Sequence, residues 1–330
     1  TWGQRAANLL VAQADLIIAV GTRLGMQQTG FNWQQFGRNA FVVHVDIDRS
    51  ELDKGHPKID LQICADADDF LSQLLPKVQG DWEAWLSYAR DVRGALPLND
   101  SANETSSGYL SPYSFYADLV RLSKPDDVII PCSSGGANSV SMQVIEQKLG
   151  QVIITDKGLA SMGYGLGGAI GASMAHPGRR TFLIEGDGGF SQNLQELATV
   201  AVNHLPIKTF IFANNGYGSI RMTQKNYFGG AYLGCDTETG LGFPDWDMLF
   251  RSFGIETLTL DNDWFKNKEV LDALSSDEPF GFIVPIDPLQ TYWPKITSRI
   301  VEGGGMESNP LHMMSPDLDP ALFARVTKYL

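Results

Sequence analysis

Thr181-Phe182-Leu183-Ile184-Glu185-Gly186-Asp187-Gly188-Gly189-Phe190, followed downstream by Ala213-Asn214-Asn215-Gly216-Tyr217-Gly218, decides how this chain reads. Residues 181–184 form a short, β-rich apolar run of the kind that makes a buried parallel strand. Across residues 191–203, Leu194, Leu197, Ala198 and Ala201 recur at i, i+3, i+4 and i+7, which predicts the core-facing stripe of a helix. Pro206 ends that helix, and residues 207–213 read as the next strand. Asp187 and Asn214, 27 residues apart, then stand at the carboxyl ends of two strands joined by a crossover helix. Open α/β sheets bind their ligands there.

The residue types at that place suggest a chemistry. An aspartate carboxylate and an asparagine carbonyl are hard oxygen ligands, suited to Mg²⁺ or Ca²⁺ and poorly suited to soft metals. Gly188 and Gly189 let backbone approach a ligand closely. A helix starting near Ser191 would add unpaired N–H groups that favour an anion. Metal and anion cradle together suggest a metal-bound diphosphate.

At these residues the chain resembles the thiamine diphosphate enzymes of the acetolactate synthase and pyruvate decarboxylase superfamily. A lone Gly-Asp-Gly is more often a plain turn. The resemblance rests on Gly186-Asp187-Gly188, on Glu196 nine residues after the Asp, and on the pair Asn214-Asn215, all in a strand–helix–strand setting. It implies an α/β fold of doubly wound parallel sheets: a thiamine diphosphate-binding domain with a partial Rossmann-like middle domain. It implies Mg²⁺ on Asp187, Asn214 and the backbone carbonyl of Gly216. It sets Gly135, Gly136, Ala160, Met162, Gly188, Gly189, Tyr217 and Gly218 against the cofactor. Ser161-Met162-Gly163-Tyr164-Gly165 matches the family segment in which Met162 would be the apolar fulcrum that bends the cofactor. Without that context Met162 reads as core filling. Glu196 is expected to orient the loop that carries Asp187.

The same resemblance organises the rest of the chain. Residues 1–78, with apparent strands at 14–21, 41–48 and 59–64, look like the second half of a middle domain. Residues 79–110 read as a linker that could carry a short helix from Trp82 to Arg93. Residues 111–300 read as the diphosphate-binding domain, beginning with a helix capped by Ser111. Residues 301–330 read as a carboxy-terminal tail, with Gly303-Gly304-Gly305 marking flexibility. The glutamate that activates the aminopyrimidine in relatives belongs to a pyrimidine-binding half, expected from another chain or a further segment. A homo-oligomer is expected.

The implied activity is decarboxylation or carboligation of a pyruvate-like 2-oxo acid. Gln224-Lys225-Asn226-Tyr227-Phe228 and Gly234-Cys235-Asp236 resemble homologues from surface-polysaccharide sugar pathways. A flavin site is weakly matched: where FAD-binding relatives carry a polar turn, this chain has Arg23-Leu24-Gly25-Met26-Gln27. Two other readings are a subunit of a 2-oxo acid oxidoreductase and a non-catalytic regulatory or scaffold subunit of the same fold.

Composition agrees with a cytoplasmic enzyme. The 330 residues are 43% hydrophobic and 19% charged, with a net charge of −13 that disfavours nucleic acid and anionic membranes as partners. Cys64, Cys132 and Cys235 are too few and too scattered for a disulfide framework or a zinc site. No apolar run reaches membrane-spanning length. His44 within a strand and His204 after a helix read as structural, and Trp246, Trp264 and Trp293 as packing residues.

Overall fold

In the computed structural model, residues 1–132, 135–156, 158–300 and 305–330 are described. The chain forms two compact units, residues 1–102 with 293–330, and residues 103–292.

The first unit opens with α1 (Arg5–Gln13), β1 (Leu16–Val20), α2 (Met26–Thr29), β2 (Phe41–Asp46), α3 (Arg49–Leu52), β3 (Leu61–Cys64), α4 (Ala67–Leu74) and α5 (Glu83–Ala95). Its strands pair in parallel in the order β1-β2-β3. β2 is the middle strand, and its Val42, His44 and Val45 are buried. His44 is structural, its Nε2 lying 2.8 Å from the Thr22 carbonyl oxygen. β1 has one paired neighbour, and Leu16 is 50% exposed.

In the second unit the elements are α6 (Pro112–Leu122), β4 (Val128–Pro131), α7 (Gly135–Val144), β5 (Val152–Ile153), α8 (Tyr164–Ala175), β6 (Thr181–Gly186), α9 (Asp187–Phe190), α10 (Leu197–Val202), β7 (Ile207–Ala213), α11 (Gly218–Tyr227), α12 (Trp246–Ser252), β8 (Glu256–Thr259), α13 (Lys268–Ser275) and β9 (Phe280–Pro285). Their six strands form one parallel sheet, β5-β4-β6-β7-β9-β8. Both faces are covered, which is why the inner strands β4, β6, β7 and β9 are mostly apolar, while the edge strand β8 is largely polar. Phe182, Phe210 and Phe282 face one core with Phe115 and Trp264; Leu183 and Ile211 face the other with Leu166 and Phe250. Each such side chain contributes about 1.5–3 kcal/mol on burial. From β4 the chain first steps outward to β5 and then returns to β6 on the other side. The order therefore reverses between β4 and β6, and their carboxyl ends flank the crevice where such sheets take ligands.

The chain then returns to the first unit with β10 (Ser298–Ile300), β11 (Met306–Ser308) and α14 (Pro320–Val326).

The division differs from the sequence expectation. Most of the supposed linker belongs to the first unit, because Val92 of α5 and the following Leu96 bury against Ala6, Leu9 and Val326. The expected diphosphate domain ends at Tyr292, and the tail packs into the first unit through Val326 of α14. Gly303 and Gly304 of the supposed flexible run lie outside the described residues. Ser111 precedes α6 as expected, but its side chain makes no capping bond; Pro112 at the first helical position sets the start. Trp264 and Trp246 are buried packing residues. No helix among the described residues is long and apolar enough to cross a membrane.

Candidate cofactor site

β6 and β7 run side by side, Glu185 opposite Ile211 and Gly186 opposite Phe212, so both strands deliver their next residues to the same edge. Asp187 starts the turn α9 and is 1% exposed. Its carboxylate is fixed from both sides: the Gly188 N–H donates to Oδ1 at 2.7 Å and the Asn214 N–H to Oδ2 at 2.9 Å. Burial pushes its pKa up to about 6, with backbone N–H groups, Gly188 first, opposing the rise.

The helix expected over residues 191–203 is broken. The chain coils at once into α9, passes a 3₁₀ turn at Leu194–Glu196, and only then forms α10. Asn193, at φ −146° and ψ 36°, resets the phase, so the buried pair is Leu197 and Val200 while Ala198 is exposed. The Ser191 N–H, expected to face an anion, donates to the Asp187 carbonyl. Glu196 does not reach the Asp187 loop; its Oε2 accepts from Thr199 Oγ1 at 2.7 Å.

Beyond β7 the chain turns through Asn214-Asn215-Gly216. Asn215 holds φ +56°, a left-handed conformation that asparagine tolerates. Asn214 Oδ1 is buried with no hydrogen-bond partner. The Gly216 carbonyl accepts from the Gly218 N–H at 3.1 Å and keeps a second lone pair. Arg221 of α11 fixes this turn, an arrangement the sequence did not disclose. Its guanidinium donates to the Asn215 and Pro288 carbonyls and pairs with Asp236 at 3.2 Å. A side chain at Gly216 would run into that guanidinium and the Cys235 carbonyl, and one at Gly188 would run into the Tyr217 ring.

One cleft gathers nearly all the residues singled out from sequence: Gly135, Gly136, Met162, Asp187, Gly188, Gly189, Asn214, Gly216, Tyr217 and Gly218 line it. Ala160 does not; it sits at φ +54° in the loop before Met162, its N–H bonded to the Asp156 carbonyl. Met162 is partly exposed at the cleft, not core filling. Tyr292, Ser219, Ile220 and Phe212 also line it. Phe212, Ser219 and Ile220 directly flank the 213–218 segment, whereas Tyr292 comes from a distant part of the chain and no motif marks it.

The donor set fits a hard cation. A buried carboxylate held by the backbone next to it and an unpartnered buried amide oxygen are oxygen donors of the kind Mg²⁺ takes. None of the three cysteines forms a disulfide, and no group of three His, Cys, Asp or Glu side chains converges among the described residues, so a softer, all-side-chain metal centre has no counterpart there. Gly135, Gly136, Gly188 and Gly189 line the cleft, with the Tyr292 ring against Gly136 and the Tyr217 ring against Gly188.

A parallel sheet with oxygen donors and bare backbone at its strand ends defines a diphosphate-binding α/β domain. Residues 134–283 match the family model for the thiamine pyrophosphate enzyme C-terminal TPP-binding domain, and residues 1–74 match that for the central domain. The chain belongs to the thiamine pyrophosphate enzyme family. It is 30% identical over 298 residues to the acetolactate synthase isozyme 1 large subunit of Escherichia coli K12, covering 89% of this chain and 51% of that protein. To the isozyme 2 large subunit it is 33% identical over 329 residues, 95% of this chain and 54% of that protein. A probable acetolactate synthase large subunit of Methanocaldococcus jannaschii is 31% identical over 300 residues, 87% and 49%. The chain thus spans about half the length of these relatives. In fold it is similar to a thiamine diphosphate-dependent 4-hydroxybenzoylformate decarboxylase of Rhodococcus jostii RHA1, with TM-score 0.62, 22% identity, and 83% and 49% coverage.

Proposed function

We propose that this chain is the diphosphate-holding part of a thiamine diphosphate- and Mg²⁺-dependent decarboxylase or carboligase acting on a pyruvate-like 2-oxo acid. The observation that carries the reading is Asn214 Oδ1, buried and unpartnered next to an Asp187 carboxylate fixed on the Asn214 backbone. Such an atom loses free energy unless something takes its lone pairs, and a divalent cation does so. Asp187, Asn214 and the Gly216 carbonyl would hold the metal. Backbone at Gly135, Gly136, Gly188 and Gly189 would take the phosphate oxygens, with Tyr217 and Gly218 closing the wall. Met162 would press an apolar contact against the thiamine. Bound thiamine diphosphate supplies the nucleophilic carbon that adds to the 2-oxo acid and allows CO₂ to leave. The chain's own part is to bind, orient and keep the metal site dry.

In this reading the aminopyrimidine end is served by a pyrimidine-binding half outside residues 1–330, in the same or another chain, within a homo-oligomer in the cytoplasm. The reading includes no flavin: Arg23, the residue that survives from a flavin-type turn, pairs with Glu51 at 2.6 Å. Transfer to a sugar ketone acceptor fits the 224–228 and 234–236 segments and is the acceptor class we favour. The test is direct. Thiamine diphosphate should bind residues 1–330 only when Mg²⁺ is present, with negligible pyruvate consumption. Adding the pyrimidine-binding half should restore CO₂ release. Metal-independent binding, or robust turnover by this chain alone, would overturn the reading.

A further inference from the structure

Tyr292 follows β9 and is only 8% exposed, yet it lines the same cleft as Asp187, Asn214 and Gly216. Its phenol end lies against the first turn of α7: a Cβ at Gly136 would stand 2.6 Å from its Oη. Gly136 is glycine because this ring takes the space. The Tyr292 ring is packed away while its hydroxyl, at the cleft, is bonded to no other described protein group. Beside it the first N–H groups of α7, a ten-residue helix, lack intrahelical acceptors. The helix dipole there favours an anion. A hydroxyl on a packed ring and a helix N-terminus thus open on one side of a cleft that also holds the metal-type oxygens.

We propose that Tyr292 Oη donates a hydrogen bond to a phosphate oxygen of the bound diphosphate, next to the N-terminus of α7. This rests on the diphosphate reading above and adds to it a residue that no motif contains. Burial, with the nearby Tyr113 and Asp187 adding to it, raises the phenol pKa, so the group stays protonated and acts as a donor. A divalent cation held by Asp187, Asn214 and the Gly216 carbonyl would offset the charge of the Asp187 carboxylate.

The test is calorimetric titration of the full 330-residue chain in Mg²⁺, with inorganic pyrophosphate and separately with thiamine diphosphate. Wild type is compared with Tyr292→Phe, which removes Oη and leaves the ring in place. Loss of one hydrogen bond to a charged group should weaken both ligands by the same factor, about tenfold or more. The melting temperature without ligand should stay unchanged. Wild-type affinity in Tyr292→Phe would overturn the proposal, as would a lowered melting temperature with unchanged affinity, which makes the hydroxyl structural. Weakening confined to thiamine diphosphate would also overturn it, since the contact would then lie on the thiamine. If wild type binds neither ligand, the diphosphate reading itself fails.

Discussion

The carboxyl ends of the two parallel sheets carry the same residue types put to opposite uses. In the first unit the acids after β2 and β3 serve the backbone. Asp46 Oδ1 accepts the Asp48 N–H, Asp48 caps α3 through the Ser50 N–H at 2.8 Å, and Asp66 caps α4 through Asp68 and Asp69. Asp48 and Asp66 are exposed, and bonds from Ser50 hold the Asp48 carboxyl below the usual range. In the second unit the helix after β6 is preceded by Gly186 and has no side-chain cap. Its acid is buried and pushed up to about 6, and the neighbouring amide oxygen goes without a partner. Asp48, which completes a helix start, is solvated and easily ionised. An acid that is buried and reluctant to ionise costs the unliganded fold free energy, and a metal ion would return it.

The sharpest way to break this contrast is Asp187→Ala. Among the described residues that line the cleft, Asp187 is the one carboxylate. Removing it should weaken Mg²⁺-dependent thiamine diphosphate binding by at least about 100-fold. Titration of the variant at near wild-type affinity would show that the buried acid is as structural as its counterparts in the first unit.

A smaller effect comes from pH. The Asp187 pKa is raised from 3.8 to about 6, so the folded state favours the protonated form. Through this group the unliganded chain loses stability as pH rises from about 4 through 6, opposite in sign to a capped acid such as Asp48. A proton also competes with the metal. Mg²⁺ affinity should therefore fall about tenfold per pH unit below 6 and level off above it. A flat profile from pH 5 to 8 would remove Asp187 from the metal's ligands.

What the sequence disclosed and what it concealed divide along a physical line. The strand at residues 207–213, Asp187 and Asn214, and Gly188 and Gly189 were legible because periodicity and spacing act over one strand–helix–strand unit, whereas Gly135 and Gly136 were placed only by the family resemblance. The 3₁₀ turn at Leu194–Glu196 was not legible, since the apolar stripe of residues 194–201 continues across it and only backbone dihedrals mark the break. Arg221 and Tyr292 were hidden for another reason. Arg221 matters through carbonyls at Asn215 and Pro288, and Tyr292 through the space above Gly136. Those are facts of tertiary proximity with no sequence period. The unit boundary was misplaced likewise, because Val92 and Val326 meet in one core from opposite ends of the chain.

The smallest effect sharpens the comparison from its other side. Asp66 stands after β3 much as Asp187 stands after β6, but it is exposed and its Oδ1 accepts the N–H groups of Asp68 and Asp69 at 2.8 and 3.3 Å. Replacing an N-cap acid by alanine typically costs about 1 kcal/mol. Here Asp68 and Asp69 crowd negative charge into the same turn, and relief of that repulsion offsets part of the loss, leaving roughly 0.5–1 kcal/mol. Asp66→Ala should therefore lower the denaturant midpoint of the first unit slightly while leaving the Mg²⁺ and thiamine diphosphate titrations where they were. The two variants together form the decisive pair: one acid whose loss empties the cleft at little structural cost, and one whose loss frays a helix and binds nothing less. If Asp66→Ala weakened cofactor binding as Asp187→Ala does, the separation of fold-serving from ligand-serving acids would not hold.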